Sequence, residues 1–311
     1  MEPVLQIEHL SITFTQYSRG VTRRELPVIR DLSLSLCPGE VTAVVGASGS
    51  GKSLLAHAVL GLLPYNSRQE GTILYQGKPL TASWLKKLRG KEIVLVPQGV
   101  TYLDPLMKVG DQLCCGSREK QIREKAQKAL ERYGLPRETE NLYPFQLSGG
   151  MARRVLLASA VMGSPRLIIA DEPTPELDSQ AAKRILEHFQ QLASEGAAVL
   201  FITHDLELAL SVAHRVVVFY AGETVEEAEA SDFTRNRLRH PFTKALWRAM
   251  PQQGFHSIPG AQPYPGDVWK GCPFVGQCPH PQSSCKKQDI PLRSYQNGKV
   301  RCLYPEEEEA L

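Results

Sequence analysis

The chain reads as an α/β protein: a parallel core sheet flanked by an antiparallel edge sheet, a helical insert, and a small irregular cysteine-bearing extension at the C-terminus. Three observations carry this reading. Over the first 45 residues apolar and polar positions alternate (Leu5, Ile7; Ile12, Phe14; Leu32, Leu34, Leu36), which is the period of short half-buried strands. The β-branched run at 40–45 stops at a glycine-rich turn and continues as a helical pattern over 52–63. From Arg166 an apolar run at 167–170, a helical stretch at 179–195 and an apolar run at 197–202 follow in turn, the order that right-handed crossovers fold into a parallel sheet.

Taken in order, residues 1–45 supply edge strands, broken by a polar stretch at 17–25. Residues 87–163 change character: charged helical stretches such as 117–133 precede the helix 151–161, an insert within the α/β core. The run at 216–220 reads as one more buried strand. After about Thr234 proline, glycine, cysteine and aromatic residues take over, no packed layer can be traced, and the chain closes on the solvated acidic run 306–309. The expected division is a main domain at 1–235 with its insert at 87–163, then an extension at 236–311, which suits a chain of 311 residues.

Bulk composition narrows the function class. At 42% hydrophobic, 22% charged and a net charge of +3, the chain has no concentrated basic character to suggest nucleic acid. No apolar run approaches the ~20 residues of a membrane-spanning helix. The start, Met1 to Gln6, has neither a basic beginning nor an apolar core, so a cytoplasmic location is expected. Seven cysteines in a reducing compartment favour metal binding over disulfides, and four of them (Cys272, Cys278, Cys285, Cys302) fall within the last 40 residues.

Gly46-Ala47-Ser48-Gly49-Ser50-Gly51-Lys52-Ser53 fits the phosphate-loop pattern. Its glycines let backbone amides and the following helix N-terminus wrap a triphosphate; Lys52 would neutralise the outer phosphates and Ser53 would ligate Mg²⁺. The apolar stretch 167–170 ends in Asp171 and Glu172, at the carboxyl edge where a parallel sheet delivers catalytic groups. Asp171 would hold Mg²⁺ through water and Glu172 would polarise the attacking water. Ser148-Gly149-Gly150 precedes a helix and could be an ordinary N-cap. One phosphate loop needs no second anion site in the same chain, so this one is expected to serve a neighbour's nucleotide, and the sequence predicts a dimer.

With these motifs present in order, residues 1 to about 235 resemble the nucleotide-binding domain of ABC ATPases; the phosphate loop and acidic strand occur widely, and Ser148–Gly150 singles out this family. The resemblance implies ATP and Mg²⁺ as ligands. It makes Gln98 the glutamine that touches Mg²⁺ and the attacking water, Asp178 part of the loop that crosses to the partner ATPase, and His204 the histidine at the γ-phosphate. An upstream aromatic is expected to stack on adenine, with Tyr17 preferred to Phe14. Met151 in place of glutamine, and Pro175-Glu176 in place of small residues, depart from the commonest pattern without removing a phosphate ligand or a catalytic carboxylate.

The segment 239–246 and the tail behind it resemble the oligopeptide, dipeptide and nickel uptake branch of the family. This implies an importer of peptides, nickel or metal chelates at the cytoplasmic face of the inner membrane. Its partners would be a second ATPase, usually a different chain, two transmembrane permeases and, indirectly, an extracytoplasmic binding protein; no nucleic acid is expected. ATP would close the two ATPases as a sandwich and move permeases docked near 98–112. The cysteine spacing lacks tight C-x2-C pairs, and some ATPases of this branch carry a [4Fe-4S] cluster on such a tail, so the cluster is preferred to free thiols and to Zn²⁺, and a stabilising role to electron transfer. The rival readings are a soluble ABC ATPase of translation or DNA repair, for which a second cassette or long coiled coil is missing, a phosphate-loop kinase, and an ATPase whose tail is a redox or metal sensor.

Overall fold

A computed structural model describes residues 2–18, 22–47, 49–175, 177–258, 260–267 and 269–305. In chain order the strands are β1 (Leu5–Ser18), β2 (Thr22–Leu36), β3 (Val41–Gly46), β4 (Ser67–Tyr75), β5 (Lys78–Pro79), β6 (Ile93–Val96), β7 (Leu167–Asp171), β8 (Ala198–Thr203), β9 (Arg215–Tyr220), β10 (Glu223–Glu229), β11 (Arg293–Tyr295) and β12 (Gly298–Val300). The α-helices are α1 (Lys52–Val59), α2 (Ala82–Leu88), α3 (Val109–Leu113), α4 (Lys120–Arg132), α5 (Gly149–Val161), α6 (Ser179–Ser194), α7 (Leu206–Val212), α8 (Ala230–Thr234) and α9 (Pro241–Arg248). Two compact units contain them: residues 1–37, 42–80 and 202–311 in one, residues 38–41 and 81–201 in the other.

In the first unit β1 runs antiparallel to β2 and to β4. Leu5 and Ile7, then Leu10 and Ile12 beyond a register shift, are buried in β1 and Leu32, Leu34 and Leu36 in β2, so a period of two on each side of the irregularity sets which face meets the core. Strand β3 lies parallel to β9, and β9 antiparallel to β10. Helix α1 stops at Val59, short of the expected 63, because Gly61 turns left-handed (φ +58°), Leu62 N–H closes on His57 O at 2.8 Å, and Pro64 bars a further turn.

The tail, where no layer could be traced, returns two strands. Strand β12 pairs with β11 and with β10 at Glu226↔Val300, along the edge that β2 meets only at Glu223↔Asp31. Three residues, Gly298-Lys299-Val300, are too few to display a period. Charge fastens them: Arg301 donates to Thr224 O (2.8 Å), Ile290 O (2.9 Å) and the Asp31 carboxylate (2.8 Å).

In the second unit β6 and β7 are parallel, Ile93↔Leu167 through Val96↔Ala170, and all five residues of β7 are buried. Helix α6 buries Ile185, Phe189 and Leu192, with Phe189 edge-on to Phe201 at 6.2 Å. Helix α5 buries Val155, Leu156 and Leu157, and with them a charged residue, Arg153.

Candidate nucleotide-binding residues and the cysteine pocket

Strand β3 is buried throughout and ends hard against its neighbour: a Cβ on Gly46 would lie 2.2 Å from Phe219 O, so only glycine fits. The loop then turns through two left-handed glycines, Gly49 (φ +77°) and Gly51 (φ +99°), the second serving as N-cap of α1. Lys52 Nζ donates to Gly46 O at 2.8 Å and Ala47 O at 2.9 Å, which holds the ammonium over the loop it belongs to. Ser50 is buried, Ala47 and Gly49 are exposed, and Ser53 is half-buried in the first turn of α1. Ser48 lies outside the described residues. In the same unit Tyr17 is 71% exposed near the end of β1, Phe14 is half-buried, and His204 stands exposed just after β8.

In the other unit β7 delivers Asp171 and Glu172, 5% and 7% exposed. Glu172 takes the left-handed conformation (φ +46°), which costs a non-glycine residue energy and persists only when its surroundings impose it. Gln98 is exposed two residues past Val96, just as Glu172 is two past Val96's partner Ala170, so the strand register brings both to one sheet edge. Ser148 caps α5, its hydroxyl accepting from Met151 N–H at 3.3 Å. Asp178 caps α6, accepting from Ala181 N–H at 2.8 Å, and that bond holds its carboxyl below the usual range. Ser148, Gly149 and Asp178 are exposed and Gly150 half-buried. Arg153 escaped the sequence reading: buried, it donates one N–H to Glu172 O (2.6 Å) and another to Gln98 O.

The tail's cysteines converge. Cys272, Cys278, Cys285 and Cys302 line one cavity together with His240 and Phe274. Burial pushes the Cys272 thiol up to about 12 and the Cys302 thiol up to about 11. No disulfide links the described cysteines, and among the described residues no three His, Cys, Asp or Glu side chains stand at metal-binding geometry. His240 Nδ1 accepts from Phe242 N–H at 3.0 Å, which leaves Nε2 to carry the proton toward Cys272 Sγ at 3.9 Å. Burial, aided by Arg301, lowers the His240 pKa to about 3. Beneath it the buried Glu226 carboxylate accepts from the backbone N–H groups of Arg239 and His240, both at 2.8 Å, while Arg239 also reaches Asp232 at 3.1 Å.

A phosphate loop, an acidic strand end and a glycine signature capping a helix define a nucleotide-binding cassette, and the comparisons with known proteins agree. The ABC transporter family matches residues 29–175, and the oligopeptide/dipeptide transporter C-terminal region matches residues 225–285. The oligopeptide transport ATP-binding protein OppD of Escherichia coli (strain K12) is 34% identical over 328 residues, covering 100% of this chain and 95% of the relative. The solved cassette MJ0796 in dimeric form superposes with a TM-score of 0.64 at 27% identity, covering 73% of this chain and 98% of the other. A post-hydrolysis dimer of MJ0796 bound to ADP and phosphate gives 0.63 at 27%, with the same coverage. The chain belongs to the ABC transporter ATP-binding proteins, in the branch that carries the oligopeptide/dipeptide C-terminal region. Among the described residues no helix is long and apolar enough to cross a membrane.

Proposed function

We propose that this chain is the ATP-hydrolysing subunit of a peptide importer, seated at the cytoplasmic face of the membrane against two permeases and a second ATPase, with an extracytoplasmic binding protein supplying the cargo. The observation that carries the proposal is the edge of β6 and β7, where Gln98, Asp171 and Glu172 are set by one register; Ser148, exposed, caps the helix α5. Lys52 and the loop amides bind the phosphates, Tyr17 supports adenine, and Ser53, Asp171 and Gln98 would hold Mg²⁺, which adds positive charge where the leaving phosphate develops negative charge. Glu172 orients and polarises the attacking water, and His204 senses the γ-phosphate. Ser148–Gly150 and Asp178 face the partner's nucleotide, so two sites form only when two ATPases close. Purification of the tagged chain from native membranes in mild detergent tests this: two permeases and a related ATPase should co-purify, with ATPase activity stimulated by peptide. Isolation alone, or with ribosomes, would refute it.

For the tail we propose a resident metal centre on Cys272, Cys278, Cys285 and Cys302, a [4Fe-4S] cluster before Zn²⁺. Support comes from the donor set: four cysteines line one cavity, with a buried N–H directed at the sulfur of Cys272. Cys272 and Cys302, whose pKa values burial raises, lose their protons readily only to a cation, and the centre would cross-link a segment that has little regular structure of its own. Iron, sulfide and zinc assays on protein purified anaerobically decide between the two metals, and absence of all three rejects the centre.

A further inference from the structure

Arg153 is the least economical residue in its unit. It is 4% exposed, and among the described residues no carboxylate lies within ion-pair distance of it and its Nε has no partner. A guanidinium taken out of water without a counter-charge is costly, and cores replace such a group with an apolar side chain unless it has a task. Among the described residues its hydrogen bonds run to two backbone carbonyls, those of Gln98 and Glu172. One belongs to the loop after β6, which ends in exposed Tyr102 and Leu106; the other belongs to a residue held left-handed at φ +46°. Arg153 itself rides on the second turn of the helix that Ser148 caps.

From this geometry we infer that Arg153 is a positioning residue that locks the peptide of the general base, Glu172, to the peptide of Gln98, so that displacement of the Gln98 loop or of the Ser148 helix moves the base. The inference rests on the ATPase reading above. A planar fork spans two carbonyls from two separate nitrogens and fixes both directions, whereas an ammonium holds two carbonyls only where both converge on one atom, as at Lys52. The carbonyl bond also holds the left-handed Glu172 in place, because a flip of that peptide would break it. Movement at the permease-facing loop and closure at the signature helix therefore reach the attacking water through one side chain.

The test uses the purified transporter in proteoliposomes, comparing wild type with Arg153→Lys and Arg153→Met. Arg153→Lys keeps the charge and loses the fork. It should leave the KM for ATP within about twofold, lower kcat about tenfold, and reduce stimulation by transported peptide toward unity, since a misplacement on the order of 1 Å at a catalytic group costs rate rather than binding. Arg153→Met should lose both basal rate and stimulation while its melting temperature stays near wild type. If Arg153→Met fails to assemble, Arg153→Lys alone decides. Stimulation and kcat at wild-type values in Arg153→Lys would overturn the inference while leaving the ATPase reading intact. An inactive wild-type transporter would overturn the ATPase reading and this inference with it.

Discussion

The edge of β6 and β7 and the tail pocket handle polar groups in opposite ways. Around β6 and β7 the polar groups at loop ends, Gln98 and the helix caps Ser148 and Asp178, are exposed and held by backbone register and capping bonds, while the carboxylates Asp171 and Glu172 are buried. In the tail, Glu226, Asp232, Arg239 and His240 are buried, and each binds another. Polar groups at loop ends and helix caps keep water as a partner, whereas polar groups buried among apolar side chains must satisfy one another. Arg153 belongs by position to the first set and by burial to the second, which is why it stands out.

Four experiments sharpen or break this contrast, from the largest expected effect down. Glu172→Gln should lower kcat by about two to three orders of magnitude while ATP still binds, as removal of a general base does; unchanged turnover would remove Glu172 from the mechanism. Glu226→Ala should cost about 3–5 kcal/mol in urea unfolding, since it leaves two buried backbone N–H groups without an acceptor and the Arg239 guanidinium with Asp232 as its remaining carboxylate, and a loss below 1 kcal/mol would show that the network is hydrated. Glu223 has its pKa raised to about 7 from 4.5, chiefly by burial and against the pull of Arg301 and Arg30. A raised acid stabilises the fold fully below the unfolded pKa of 4.5, and that contribution declines as pH rises through 7. Glu223→Gln should therefore gain stability relative to wild type by about 2 kcal/mol between pH 5 and pH 8; a pH-independent difference would contradict the burial. Ser148→Ala removes only an exposed cap and should cost about 1 kcal/mol or less in thermal unfolding, although its ATPase rate should fall far more.

The motifs were legible because each is local. Gly46 to Ser53 and the run ending at Asp171-Glu172 declare strand, turn and helix within a dozen residues, and the fold places them as read. Arg153 was not legible: an arginine three residues after a glycine pair looks like any solvated helix residue, and only the packing of α5 shows it buried. Nor was the pairing of β12 with β10, which joins residues more than seventy apart through three residues without a pattern. The Arg239-His240 pair was noticed as family resemblance, but its physical reason, two backbone N–H groups on the buried Glu226, depends on a contact that no spacing reveals.

The late position of β12 has a consequence for biosynthesis. Translation at about 5–20 residues per second leaves Glu226 and Glu227 emerging several seconds before Val300 and Lys299, their partners across the ladder. Until then that stretch of β10 offers bare N–H and C=O groups to any extended segment nearby, a site for aggregation. A ribosome stalled near codon 290, or a protease that trims the final twenty residues, would leave the cassette motifs whole on a product prone to cluster with its own kind.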